Sequence, residues 1–162
     1  MKSVLSIAAL LLSIFTTSVH ATKPSDDKAQ ITQVFAHYMQ NYNSYLKTKV
    51  MNKAQSLYTD KMMLITPNRT PAVLNEEKLA KGIQAFLDGL RAKGVNNIAW
   101  DKLQIKLLSS SVAIASNTAV RYKSNGDIYD RAAATYMLTK NNNQWKIATL
   151  APHAVENVLP LG

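Results

Sequence analysis

From Ile98 to Ala151 apolar and polar residues alternate with a period of two. Three short polar breaks, Ser109-Ser110-Ser111, Ser124-Asn125-Gly126-Asp127 and Asn141-Asn142-Asn143, cut that stretch into four segments. Side chains of a β-strand point alternately to its two faces, so the pattern predicts strands over 98–108, 112–122, 128–139 and 144–151. Breaks this short can only return the chain antiparallel, because a parallel crossover takes a dozen residues or more. Asn125-Gly126 is the strongest of the three turn signals and predicts a type I′ turn, with positive φ at both central residues. A four-stranded meander with one apolar face needs a hydrophobic cover.

That cover lies upstream. Ile31, Val34, Phe35, Tyr38, Tyr42, Tyr45 and Leu46 recur at offsets of three and four, which predicts one long amphipathic helix with an aromatic inner face. Ser25, Asp26 and Asp27 suit its start, where free amides and the positive end of the helix dipole favour them. Val50, Met51, Ala54, Leu57 and Tyr58 predict a second, shorter helix, and Met62 to Thr66 a brief strand halted by Pro67. The segment PNRTPAV reads as a loop. Asn75 then caps a third helix bearing Leu79, Ile83, Phe86, Leu87 and Leu90; Leu74 and Leu79 form a hydrophobic staple, and Gly94 supplies a left-handed stop. The expected fold class is α+β, with three N-terminal helices packed on a curved antiparallel sheet of four long strands plus one short strand.

The N-terminus, MKSVLSIAALLLSIFTTSVHA, places Lys2 before an uncharged apolar run from Val4 to Val19, with Val19 and Ala21 as small residues before a cut. This is the layout of a secretory signal peptide, and the run is short of the roughly 20 residues a spanning helix needs. Residues 1–21 are therefore expected to be removed, leaving a polar leader over 22–27, a single domain over 28–153 and a C-terminal tail over 154–162. The expected location is the periplasm or the exterior, without a membrane anchor. The chain has no cysteine, so disulfides, a thiolate nucleophile, a thiolate metal site and a lipid-modified cysteine are excluded. Loss of Lys2 takes the formal charge from +9 to +8. The lysines are scattered from Lys23 to Lys146 and do not interleave with aromatic residues, so no nucleic-acid site is expected. Asn68-Arg69-Thr70 matches a glycosylation acceptor, a tripeptide common enough to read as incidental.

Tyr38 and Tyr42 on the long helix, the loop ITPNRTPAV, and RYKSNGDIYDRAAATYMLTKNNNQWKI from Arg121 to Ile147 together resemble the SnoaL-like branch of the NTF2-like superfamily, over residues 28 to 153. The resemblance implies a cone of curved sheet closed by helices, an apolar pocket at the open end, and frequent homodimers packed through the sheet. Its members include steroid isomerases, polyketide cyclases, dehydratases and binding or assembly modules, so fold leaves function open.

The isomerase pattern of that superfamily needs a carboxylate base just before a proline, a tyrosine on the long helix and a protonated aspartate on the penultimate strand. Tyr38 stands where the tyrosine would be. Thr66 precedes Pro67, however, and the acid position falls close to Ala134, so both carboxylates are missing. His153 is the next candidate: by strand parity it shares a face with Trp145, Ile147, Thr149 and Ala151, and at a pocket mouth it could act as acid or base near neutral pH. The alternative is a histidine that caps a chain end or bonds a backbone carbonyl. His37 lies off the helix's apolar stripe, His20 leaves with the signal peptide, and two histidines without clustered carboxylates make a metal site unexpected. No cofactor is expected either. Arg121 and Arg131 would hold an anion if they faced the cone, but the outer face or a dimer seam is favoured for both. Ala132, Ala133 and Ala134 leave room above the sheet, for a pocket or equally for close helix packing.

Three functional readings follow. The first is a small, largely apolar ligand bound by Tyr38, Tyr42, Trp100, Thr135 and His153, in a homodimer. The second is a lyase or isomerase with His153 as general acid/base and Tyr38 as hydrogen-bond donor. The third is a non-catalytic dimerisation or interaction module.

Overall fold

The computed structural model describes residues 24–51 and 56–161. Helix α1 (Pro24–Thr48) is followed by strands β1 (Tyr58–Leu64) and β2 (Ala72–Asn75), helix α2 (Glu76–Ala92), and strands β3 (Val95–Leu107), β4 (Val112–Lys123), β5 (Ile128–Asn141) and β6 (Gln144–His153). A short 3-10 turn at Val155–Asn157 comes last. The strands make one sheet in the order β2-β1-β6-β5-β4-β3, antiparallel throughout except where β1 runs parallel to β6.

The α+β class and the meander hold, but the inventory differs from the sequence expectation: the described residues form two α-helices and six strands, not three helices and five strands. The expected second helix falls partly on residues 52–55, outside the described residues. On either side of them Val50, Met51 and Leu57 are not helical, and Tyr58 opens β1. Its apolar spacing borrowed Tyr58 from a strand and Leu57 from the residue before it; the Leu57 carbonyl accepts from the amide of Ile147 across to β6. The expected loop PNRTPAV also contributes structure, because Ala72 to Asn75 pair with β1 from Leu64 to Lys61.

Helix α2 begins as predicted. The Asn75 side chain accepts a bond from the Lys78 amide, and Leu74 and Leu79 flank the cap as a staple. Beyond its end Gly94 takes φ +82, the left-handed conformation that a glycine adopts without strain.

The type I′ turn expected at Asn125-Gly126 forms instead at the last hairpin. Asn142 and Asn143, at φ 48 and 59, supply the two left-handed residues of a type I′ turn. At the other turn only Gly126 has positive φ; its amide bonds the Lys123 carbonyl, and the Asn125 carboxamide accepts from the Asp127 amide and donates to its carboxylate. That is a type I turn closed by a left-handed glycine, stabilised by asparagine's side chain instead of its tolerance for positive φ.

Register shifts bend the sheet. Between β5 and β6, Leu138 faces Ile147 and Met137 faces Thr149, so Ala148 is an extra residue on β6; similar shifts mark β3 beside Trp100 and the start of β5. Helix α1 lies in the resulting concavity. Its Ile31, Phe35, Tyr38, Tyr42, Tyr45 and Leu46 are buried, as the stripe predicted, against Ala113, Ala115, Tyr136, Leu138, Trp145 and Ile147 of the sheet. Three polar clamps fix the helix. At its start Asp27 is 3 % exposed and accepts from Lys140 Nζ at 2.8 Å and Trp145 Nε1 at 3.0 Å. Midway, Asn43 both donates to and accepts from the Ile98 backbone at 2.8 Å. At its end Arg91 of α2 donates to the Tyr45 and Leu46 carbonyls of the last turn. The C-terminal tail lies on the outer sheet face, where the Leu159 amide donates to buried Ser116.

Candidate functional site

Opposite the Asp27 clamp, helices and sheet diverge around a cavity of about 320 Å³. Helix α1 contributes Tyr38, Met39 and Tyr42; α2 contributes Ile83 and Phe86; β3 and β4 contribute Trp100, Asn117, Ala119 and Arg121; the alanines of β5 and Tyr136 form the far wall. The volume lies at the lower end of the roughly 300–1,000 Å³ typical of small-molecule sites. Small side chains make the space: where Phe35 packs edge-on to Tyr136 at 5.0 Å the core is filled, and where Ala119, Ala132 and Ala134 stand in the sheet it opens.

Aromatic rings dominate the walls. Tyr38 and Tyr42 stack at 4.2 Å, and Tyr38 leans on Trp100 at 5.6 Å. Trp100 is held by a bond from Nε1 to the Phe35 carbonyl at 3.2 Å. Burial raises the hydroxyl pKa of Tyr38, Tyr42 and Tyr136 above the ordinary phenol value, and the neighbouring phenols push Tyr38 further. These phenols stay protonated at neutral pH: they can donate hydrogen bonds, and they cannot serve as bases.

Of the residues singled out from sequence, Tyr38, Tyr42 and Trp100 line the cavity together, while Thr135 and His153 do not. The cause is the extra residue at Ala148. Parity from Trp145 and Ile147 would carry His153 inward, but past the bulge Leu150 and Pro152 take the inner positions, beside Tyr136 and Ala134. His153 is left on the outer face, where its Nδ1 donates to the Ala154 carbonyl at 2.8 Å and its Nε2 accepts from Thr135 Oγ1 at 3.0 Å. A carbonyl can only accept, which fixes the tautomer in the neutral ring.

The two arginines part company. Arg131 is on the outer face with Asp101 at 2.9 Å, as favoured. Arg121, against the same expectation, lines the cavity: its Nη1 meets Asp130 at 2.9 Å, and its guanidinium sits 5.3 Å from the Phe86 ring, linking sheet to α2 at the rim. The sequence did hold a signal for this, since Arg121 shares parity with Ala119 and Asn117. Thr66 and Ala134, the positions where the isomerase pattern puts its carboxylates, both line the cavity. Among the described lining residues there is no carboxylate and no imidazole. Asn117, which sequence reading passed over, is 2 % exposed on the cavity wall, and its Nδ2 has no hydrogen-bond partner.

A two-helix, six-stranded cone with an aromatic cavity at its open end is the architecture of the NTF2-like, or cystatin-like, class. Residues 26–155 match the family described as NTF2-like protein (DUF6841), and the chain belongs to that family. No curated protein matches it. Among solved structures it is similar to an NTF2-like protein with a cystatin-like fold from Novosphingobium aromaticivorans, at 13% identity and TM-score 0.59 over 82% of this chain and 84% of that one. It is also similar to Aln2 from a Streptomyces species, at 11% identity and TM-score 0.60 over 83% and 94%. A third is a putative calcium/calmodulin dependent protein kinase II association domain from Xanthomonas campestris, at 16% and 0.53 over 92% and 100%. At these identities the likeness is one of fold.

Proposed function

We propose that this domain binds a small, largely apolar molecule in its cone. The observation that carries the reading is the cavity itself: a space of about 320 Å³, walled by Tyr38, Tyr42, Phe86, Trp100 and Tyr136. Side chains that could have filled it are replaced by Ala119, Ala132, Ala133 and Ala134. Apolar void costs stability in an empty protein, and an occupant recovers it. The lack of a carboxylate or imidazole among the described lining residues favours binding over turnover. A lyase or isomerase using His153 with Tyr38 needs both groups on one side of the sheet, and only Tyr38 is on the cavity side. Native mass spectrometry of the purified protein, with thermal shifts against a library of apolar compounds, tests the reading. A retained ligand or a shift that Ala119→Leu abolishes supports it; no ligand and no shift from any compound ends it.

A homodimer packed through the outer sheet face is the second proposal. Met63 at 40 %, Ile65 at 39 % and Val73 at 59 % exposure bring apolar side chains together at the β1–β2 edge. A monomeric sedimentation coefficient at micromolar concentration would overturn it, as would a dimer that Met63→Lys leaves intact. Export rests on the N-terminal sequence, which lies outside the described residues; among those described, no helix is long and apolar enough to cross a membrane. Expression with fractionation and N-terminal sequencing should find a periplasmic or secreted product beginning at Thr22.

A further inference from the structure

We propose that helix α2 is a movable wall of the cone: it is pinned at both ends, and its middle, from Ala80 to Phe86, swings into a groove beside it and so admits molecules to the cavity. The admitting role rests on the proposed ligand cavity, whereas the motion stands on the helix's own contacts. At its start the helix is held by the Asn75 cap, which accepts from the Lys78 amide at 3.0 Å, and by buried Leu79. At its end Leu87 and Leu90 are buried, the Tyr45 hydroxyl donates to Asp88 at 2.9 Å, and Arg91 donates to carbonyls in the last turn of α1. Between these two pins no side chain is buried: Ile83 is half-buried, and Phe86 is 43 % exposed.

Space lies on both sides of that middle. Leu79, Gly82, Ile83 and Phe86 border the cone cavity of about 320 Å³. Leu79, Ala80, Ile83 and Gln84 border a second groove of about 920 Å³, whose other walls are Asn41 and Tyr42 of α1 and Tyr58 to Asp60 of β1. An element packed at the density of a protein interior has nowhere to move; this one has room on either side. The helix is also weakened where it is free. A Cβ on Gly82 would meet nothing within 4 Å, so packing does not call for glycine, and in an exposed helix interior glycine lowers stability relative to alanine. One contact across the rim holds the middle against the sheet. The Arg121 guanidinium, anchored by Asp130 at 2.9 Å, sits 5.3 Å from the Phe86 ring, and an interaction of this kind at a half-exposed ring is weak enough for thermal motion to release.

The chain holds three phenylalanines, Phe15, Phe35 and Phe86, which suits the protein to labelling with 4-fluorophenylalanine. Phe35 is fully buried and serves as the static reference; the para fluorine lies on the ring-flip axis, so flips are silent. Fluorine relaxation dispersion should find microsecond-to-millisecond exchange at Phe86 and none at Phe35, with Phe86→Leu assigning the signal. Arg121→Met removes the latch and should raise the open population about threefold. Gly82→Ala should lower it by about the same factor, whereas Gly89→Ala, the same change in the pinned part of the helix, should alter it less than about twofold. Stopped-flow association of N-phenyl-1-naphthylamine, an uncharged fluorescent probe, should level off with concentration at the opening rate measured at Phe86, and Gly82→Ala should lower that ceiling. A static Phe86, or equal effects of Gly82→Ala and Gly89→Ala, overturns the movable wall and leaves the cavity reading standing wherever the probe still binds. Exchange at Phe86 with an association rate that neither Arg121→Met nor Gly82→Ala alters overturns the admitting role. A probe that does not bind, together with an empty library screen, removes the cavity reading and the admitting role, with Phe86 still deciding the motion. The comparison of Phe86 with Phe35 in wild-type protein needs no variant, so a variant that fails to fold leaves the test intact.

Discussion

The two ends of the cone treat a buried polar side chain in opposite ways. At the closed end Asp27 lies under the helix with two donors on one carboxylate oxygen, Lys140 at 2.8 Å and Trp145 at 3.0 Å. At the open end Asn117 is buried to the same degree, and its Nδ2, beside the Tyr136 phenol, completes no hydrogen bond. A satisfied buried group holds elements together, whereas an unsatisfied one costs stability. The two are separated along one helix: the first turn of α1 anchors it, and its middle, at Tyr38 and Tyr42, lines the cavity.

The comparison breaks most readily at Asp27. Asp27→Ala removes the carboxylate shared by Lys140 and Trp145 and should cost on the order of 3 kcal/mol in urea unfolding, without changing probe binding once the protein is folded. Acid probes the same clamp. The hydrogen bond from Lys140 holds the Asp27 carboxyl below the ordinary value, opposed by burial and helped by Trp145. A carboxyl depressed in the folded state stabilises above its unfolded pKa of about 3.9, and the contribution is lost as pH falls through the folded value. The unfolding midpoint should therefore drop below about pH 4, with a shallower drop in Asp27→Asn.

At the open end the same kind of edit should have the opposite sign. Asn117→Leu removes a donor that has no partner, so stability should be unchanged or rise by up to about 1 kcal/mol in the same denaturation assay. Ala119→Leu should shift stability by less than about 1 kcal/mol, because the added carbons enter existing space, while reducing probe binding at least about tenfold. The smallest effect belongs to His153→Ala. It removes the Thr135 bond on the outer face, costs about 0.5–1 kcal/mol, and should leave probe affinity where it was. A binding loss there would return His153 to the site.

Periodicity found what repeats and missed what interrupts. The aromatic stripe of α1, the four meander strands and the Asn75 cap were legible because each is a local pattern with a local cause. Leu57 and Tyr58 misled because two apolar residues fit a helical or an extended spacing equally well until a neighbouring strand claims them. His153 was placed inward by counting in twos from Trp145, and one extra residue at Ala148 reversed the count. Nothing in KIATLAPH marks that bulge, since alanine occurs in strands on either face. Arg121 was legible in parity but was outweighed by the general cost of placing an arginine toward a core; Asp130 and the Phe86 ring offset that cost, and both come from elsewhere in the chain.

The sequence by itself determined the class of fold, the four-stranded meander and the buried stripe of α1, because hydrophobic period and turn chemistry act over a few residues. Only the tertiary structure decided which side chains share the cavity. That choice depends on register between strands far apart in the chain, and a shift of one residue turns every side chain beyond it to the other face.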